Sequence, residues 1–136
     1  MNCYKNTIDL IREVLSQDKR VVFAYLYGSS VEGDKTQSRD IDIAVYAAEG
    51  LDVHKLSSDL KIALYEHTAL SPDAFDIQII NNIVEEGDLF ALLYLRNVFQ
   101  KSILLKDRIT EVRSDFIEQY GLKFRECEGL ISEILK

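Results

Sequence analysis

Residues 25–46 read YLYGSSVEGDKTQSRDIDIAVY, and this stretch decides the fold that we predict for the chain. The stretch contains the end of one β-branched and aromatic run, Val21–Tyr27, and the whole of another, Ile41–Tyr46. Each run has the length and composition of a buried strand. Residues 28–39 between them contain Gly, Ser, Asp and Thr, which is typical of a turn-rich connection. Because this connection is short, the two strands should pair antiparallel.

Helix and strand patterns alternate along the rest of the chain. Helices are predicted at Asn6–Gln17, from Val53 to near His67, around Leu89–Arg96 and from Ile109 to the C-terminus, and further strands at Phe75–Ile80 and Ser102–Leu105. Gly121 lies inside the last helix pattern, where glycine costs roughly 1 kcal/mol against alanine, so the sequence allows a kink or break of that helix there. The order predicts an α/β fold with a mixed β-sheet packed with helices, and the length predicts a single domain over residues 1–136.

The composition is that of a globular protein of the cell interior. Hydrophobic residues make up 47% of the 136 residues, enough for a core without disulfides. Cys3 and Cys127 lie far apart and lack Cys-x-x-Cys spacing, which predicts two incidental thiols in a reducing compartment. Charged residues interrupt the first fifteen positions and no long apolar run follows, so we expect neither a signal peptide nor a membrane span, and a cytoplasmic location.

The charge of the chain argues against a long polynucleotide substrate. Net charge is −7, from 23 acidic and 16 basic side chains, and no dense Lys/Arg cluster is present. General nucleic-acid binders carry a basic stripe that displaces counterions from phosphates. A small anionic substrate can still bind such a protein where a metal ion supplies the positive charge.

Three aspartates are the candidate metal ligands. Asp40 and Asp42 should project from one face of a strand while Ile41 points into the core, because strand side chains alternate. Carboxylates about 6 to 7 Å apart along a strand are well placed to share one or two hard divalent cations. Without a cation, one of the two would tend to take up a proton. Asp76, at the start of the later apolar strand, is the candidate third carboxylate.

Gly28 and Ser29 are the candidate phosphate contacts. Glycine has no Cβ, so phosphate oxygens can approach the backbone amides closely, and the serine hydroxyl adds a donor. A metal pair beside a phosphate cradle suits phosphoryl or nucleotidyl transfer, because the cations neutralise a triphosphate and activate the attacking oxygen.

Gly-Ser, ten further residues, Asp-x-Asp and a third Asp on a later strand together resemble the DNA polymerase β-type nucleotidyltransferase superfamily. The short length points to its minimal nucleotidyltransferase (MNT) branch. The resemblance implies that Asp40, Asp42 and Asp76 bind two Mg²⁺ ions and that Gly28 and Ser29 contact the triphosphate of ATP. Many relatives carry a basic residue directly after Gly-Ser, whereas this chain has Ser-Val-Glu, so compensation of the triphosphate charge would fall to the cations and to Lys35 or Arg39.

The same resemblance implies a biological role. Members of this branch are commonly antitoxins that transfer AMP from ATP to a tyrosine hydroxyl of a HEPN-type ribonuclease toxin. The alternatives are a nucleotidyltransferase acting on a small-molecule hydroxyl, as in antibiotic modification, and a non-catalytic antitoxin that works by contact alone. The preferred base, the acceptor hydroxyl and the choice between a homo-oligomer and a hetero-complex stay open.

Other polar and aromatic residues have simpler interpretations. Tyr27 and Tyr46 lie near predicted strand ends, so core packing is expected, with a nucleotide base as the alternative contact. Basic residues of the last helix are interpreted as an exposed face whose ion pairs contribute little: Arg108, Arg113, Lys123 and Arg125.

Overall fold

The computed structural model of the chain describes residues 6–28, 40–86 and 88–135. Its helices are α1 Thr7–Ser16, α2 Val53–Thr68, α3 Ile83–Glu86, α4 Leu89–Gln100, α5 Thr110–Glu126 and α6 Glu128–Ile134, and its strands are β1 Val21–Tyr27, β2 Ile41–Ala47, β3 Phe75–Ile79 and β4 Ser102–Asp107. Every helix and strand predicted above is present, with ends shifted by a few residues. No helix of this part of the chain is long and apolar enough to cross a membrane.

The four strands form one mixed sheet in the order β3-β2-β1-β4. β1 pairs antiparallel with β2 and with β4, while β2 pairs parallel with β3. The predicted antiparallel pair and the predicted mixed sheet are therefore confirmed. The parallel pair is possible because α2 carries the chain back between β2 and β3, as a parallel connection requires.

Helices cover both faces of the sheet. Ile11 and Leu15 of α1, with three leucines of α2, pack on one face, which we call the α1/α2 face. Leu95 and Val98 of α4, with Phe116 of α5, pack on the other, the α4/α5 face. β1 lies at the centre and all seven of its residues are buried, which explains why its sequence is apolar without alternation.

The last helix differs from the prediction. α5 passes through Gly121 without a break and ends at Glu126, and the chain turns at Cys127 before α6. Phe116 and Tyr120 hold the middle of α5 by ring contacts with Phe99. This packing outweighs the weak helix propensity of one glycine.

Arg113 corrects the prediction of an exposed basic face. Only 23% of its side chain is exposed, and its Nε lies 3.0 Å from Oδ2 of Asp107. Its Nη1 also donates a hydrogen bond to the Tyr25 hydroxyl at 3.1 Å, and this bond is the main reason that the pKa of Arg113 is raised. Its two partners lie on β1 and β4, so the residue faces the sheet, which helical charge spacing alone does not show.

Candidate active site

A row of side chains crosses the sheet where β1 ends and where β2 and β3 begin. Tyr27 is paired across the antiparallel ladder with Asp42, and Asp42 is paired across the parallel ladder with Asp76. Side chains of directly paired residues project on the same face of a sheet. Asp42 and Asp76 therefore stand side by side on the α4/α5 face, at the edge where the strands meet the connection after Gly28.

The environment of Asp42 makes it the central carboxylate. It is half-buried, whereas Asp40 and Asp76 are exposed. Burial raises the pKa of Asp42 most, and the charges of Asp76 and Asp40 and a hydrogen bond to the Asp76 carboxyl raise it further. Asp76 also accepts a hydrogen bond from Nε2 of Gln78 at 3.1 Å. Like charges held this close favour either a bound proton or a bound cation.

Gly28 lies directly against this carboxylate. Its φ is +79°, and a Cβ at this position would lie 2.8 Å from Oδ2 of Asp42. Both the left-handed backbone and the close approach therefore favour glycine over any residue with a Cβ. Sequence reasoning predicted Gly28 as a phosphate contact, and the structure adds a separate reason for glycine, which is space for the Asp42 carboxyl. Its predicted neighbour Ser29 lies outside the described residues.

The predicted aspartates differ in how tightly the structure brings them together. Asp42 and Asp76 are direct partners, and Asp40 precedes β2 near enough for its charge to act on Asp42. Ile41 packs on the α1/α2 face, as predicted from strand alternation. Asp73, which competes with Asp76 in sequence, lies in the 3-10 turn Pro72–Ala74 before the strand.

The donor set fits hard divalent cations in its chemistry, since carboxylate oxygens are their preferred ligands. Across residues 6–28, 40–86 and 88–135, no three His, Cys, Asp or Glu side chains converge as a ready-made metal cluster. The crowding at Asp42 is the observation that favours a cation, because a positive charge would relieve it. The three-aspartate metal site thus stays a prediction, with Asp42 and Asp76 as its core.

Tyr94 is a site neighbour that sequence reasoning missed. Its hydroxyl lies 2.9 Å from the hydroxyl of Tyr27, and the two rings meet edge to face with centroids 5.6 Å apart. Burial, with the charges of Asp42 and Asp76, raises the pKa of Tyr27 to about 12, and burial also raises that of Tyr94. The spacing of α4 predicts its apolar face but not the strand residue that it meets.

Tyr46 packs in the core, as its apolar neighbours suggest. Its ring stacks on Phe23 at 4.9 Å and meets Phe116 edge to face. Tyr46 also borders a groove of about 630 Å³ between Asn81 and α5. None of the three aspartates lines that groove, so the groove is not the candidate active site.

The sequence profile described as "Polymerase beta, Nucleotidyltransferase" matches residues 9–109, which run from α1 to the end of the sheet. The chain belongs to this nucleotidyltransferase family. Its predicted identification as a nucleotidyltransferase is therefore confirmed. No curated protein sequence matches this nucleotidyltransferase.

Solved structures share the fold of this nucleotidyltransferase. A chain of a toxin–antitoxin crystal structure with AMP-PNP matches with a TM-score of 0.59 and 20% identity, over 95% of this chain and 98% of that one. A chain from the complex of a tri-AMPylated Shewanella oneidensis HEPN toxin with an MNT antitoxin matches with a TM-score of 0.55 and 20% identity, over 96% and 97% of the two chains. A chain of an MntA–HepT toxin–antitoxin structure gives 0.54 and 18%, over 96% and 97%.

Proposed function

We propose that this nucleotidyltransferase transfers AMP from ATP to a tyrosine hydroxyl of a HEPN-type ribonuclease toxin, and that it acts as the antitoxin of that toxin in the cytoplasm. The observation that carries the proposal is the direct pairing of Asp42 with Asp76 beside Gly28. The similar structures support the choice of acceptor, because they are described as toxin–antitoxin complexes and one holds an AMPylated HEPN toxin.

In the proposed reaction, the tyrosine oxygen forms a bond to the α-phosphorus of ATP, and the bond from that phosphorus to pyrophosphate breaks. The hydroxyl proton passes to water. Two Mg²⁺ ions held by Asp40, Asp42 and Asp76 would supply positive charge for the triphosphate and would lower the pKa of the acceptor hydroxyl. Pyrophosphate leaves with most of the negative charge of the triphosphate, and one negative charge stays on the phosphodiester that joins AMP to the tyrosine.

The two paired carboxylates would have different roles because their surroundings differ. Asp42 is half-buried and is held between Gly28 and Asp76, so it suits the position nearest the donor phosphates. Asp76 is exposed and lies on β3, an edge strand of the sheet. An acceptor hydroxyl can therefore approach Asp76 from the open side.

An exposed acceptor side also suits a protein substrate. The helices cover the two faces of the sheet. β3 is an edge strand, so the candidate site is open on that side. A partner protein would bring its own binding surface to that edge. A small-molecule acceptor would depend on walls that the described residues do not build around Asp76, which is exposed.

The decisive test is to incubate the purified protein with a HEPN-type toxin encoded beside it, ATP and Mg²⁺, and then to weigh the toxin by mass spectrometry. We expect the toxin to gain the mass of AMP on a tyrosine. Asp42→Asn and Asp76→Asn should each reduce the rate by 100-fold or more, on the order of what loss of a charge-stabilising catalytic group costs.

Asp73→Asn is the matched control, because Asp73 is an exposed carboxylate only three residues from Asp76 but lies in the preceding turn. It should transfer AMP at the normal rate. A toxin of unchanged mass whose ribonuclease is blocked at one-to-one mixing would favour the contact-only antitoxin. Transfer to an antibiotic hydroxyl but not to the toxin would favour the small-molecule alternative.

A further inference from the structure

Helix α4 points its first turn toward the candidate site. Phe99 of α4 contacts Tyr25 of β1, with ring centroids 5.6 Å apart, and Tyr94 contacts Tyr27 at the same centroid distance. Residue numbers thus fall along α4 as they rise along β1, so the two elements run antiparallel. The start of α4 therefore extends past the end of β1, where Tyr27 is paired with Asp42.

Phe90 lies in that first turn and is exposed. Its exposed fraction is 75%, the largest of the described large apolar side chains. Phe90 precedes Tyr94 by four residues, so the two side chains lie on one strip of the helix, about 6 Å apart along its axis. Side chains on a helix also lean toward its N-terminus, which carries the Phe90 ring farther toward the rim of the site.

The backbone at Phe90 is well fixed. Asp88 is the N-cap of α4, and its Oδ1 accepts a hydrogen bond from the Phe90 amide at 2.7 Å. The hydroxyl contact between Tyr94 and Tyr27 fixes the next turn against β1. The molecule therefore fixes the backbone of an exposed aromatic residue one helical turn before the contact of Tyr94 with Tyr27, although exposing that ring to water is unfavourable.

We infer that Phe90 is the stacking platform for the base of the donor nucleotide. The inference rests on the proposed function and adds a specificity residue to it. If the phosphates bind at Asp42 and Asp76, the base would lie one ribose away from the α-phosphate. Phe90 lies one helical turn beyond Tyr94, past the end of β1 where Tyr27 is paired with Asp42. Aromatic side chains stack on every base because every base has a π-face.

Stacking on a single ring also defines the class of donor. A purine offers more ring area than a pyrimidine, and preferences at stacking sites follow stacking strength rather than hydrogen-bond readout. The donor should therefore be a purine nucleoside triphosphate. A contact with the partner protein is the competing use of Phe90. It is disfavoured because Phe90 is on α4, whereas the exposed apolar side chains of the C-terminal segment are on or directly after α5 and α6: Leu122, Leu130, Ile134 and Leu135.

The test compares binding of ATP with binding of inorganic tripolyphosphate, both with Mg²⁺, by calorimetry on the full chain. Phe90→Ala should weaken ATP binding about tenfold, within the range known for loss of one base–aromatic stack, and should leave tripolyphosphate binding unchanged. Phe90→Trp should bind ATP about as well as the unmodified protein does. Ile62→Ala is the matched control, because Ile62 is 52% exposed on α2 at the opposite face, and it should change neither ligand.

Each other outcome would overturn the inference. Unchanged ATP affinity in Phe90→Ala would remove the base contact, and if the same variant bound the toxin more weakly, Phe90 would belong to the protein interface. Equal loss of ATP and tripolyphosphate binding would place its effect at the phosphates. The proposed function has a different test: it fails if neither the unmodified protein nor Asp42→Asn transfers AMP to the toxin. The Phe90 inference alone fails if AMP transfer proceeds and Phe90→Ala does not change the affinity for ATP.

Discussion

At the scale of single residues, the geometry of the candidate site involves a glycine as well as its carboxylates. Gly28 has a left-handed backbone, and Oδ2 of Asp42 lies so near its Cα that a Cβ would be only 2.8 Å from that oxygen. A side chain at this position would both strain the backbone and displace the Asp42 carboxyl. The two effects can be separated, because Gly50 has nearly the same φ of +78° and open space around its missing Cβ.

We therefore predict that Gly28→Ala and Gly50→Ala each lose roughly 1–2 kcal/mol of unfolding free energy, the cost of a left-handed L-residue. Only Gly28→Ala should lose AMP transfer, because only there does the new methyl group meet a site carboxylate. Urea unfolding gives the stabilities, and the toxin mass shift gives the activity. Normal transfer by Gly28→Ala would show that the close approach has no role in catalysis.

At the scale of elements, an ion-pair network fixes the start of the sheet to α2. Arg20, just before β1, bonds Asp18 through Nε and Nη2 at 2.9 and 2.7 Å, and its Nη1 bonds Asp59 of α2 at 3.0 Å. The side-chain hydrogen bond from Arg20 is the main reason that the pKa of Asp18 is lowered. A carboxylate with a lowered folded pKa stabilises the fold above its unfolded pKa and loses that effect as the pH falls through the folded value.

Arg20→Met should accordingly cost about 1 kcal/mol at pH 7, near the upper end for partly exposed pairs. The difference from the unmodified protein should stay constant down to about pH 5 and shrink below about pH 4, as Asp18 becomes protonated. Urea unfolding across this pH range measures it. Arg125→Met, an exposed arginine of α5, is the control and should show a smaller cost. A difference that persists unchanged at pH 2 would mean that packing, not charge, explains the loss.

The sequence predicted the elements better than the contacts between them. Apolar periodicity and turn residues were enough for each predicted helix and strand, because those signals are local. The turn Pro72–Ala74 and the helix Ile83–Glu86 were missed because they are too short to show a period. α5 continues through Gly121, where the sequence allowed a break, because the ring packing of Phe116 and Tyr120 outweighs local propensity.

The candidate site was predictable only in part for a related reason. Asp40 and Asp42 share a strand, so alternation alone relates them, whereas the pairing of Asp42 with Asp76 depends on the register of two strands that α2 separates. The contact of Tyr94 with Tyr27 depends on where α4 crosses the sheet. Such relations come from the packing of the whole domain, and a single sequence carries no local signal for them.

At the scale of the whole molecule, charge should influence how the partner arrives. The chain carries a net charge of −7, whereas a partner that cuts RNA would present a basic face. Opposite charges speed encounter more than they strengthen the final complex. The acidic chain would also compete with RNA for the basic face of the toxin.

We predict that the association rate with the toxin falls about tenfold or more as the salt concentration rises from roughly 0.01 to 1 M, because the screening length shrinks from about 30 to 3 Å. Stopped-flow mixing or surface-based kinetics would measure this rate. The dissociation rate serves as the internal control and should change much less. An association rate that does not change with salt concentration would show that shape complementarity, rather than charge, governs the encounter.

The register between β2 and β3 would make activity at the candidate site a check on correct folding. Asp42 is opposite Asp76, while Ile43 is opposite Ile77 with both side chains on the α1/α2 face. A slip of one residue would turn Asp76 into the apolar core and bring an apolar side chain to the site, since strand side chains alternate. A molecule with the wrong pairing would thus lose its core and its chemistry together. Activity per milligram of refolded protein would then count the correctly assembled molecules directly.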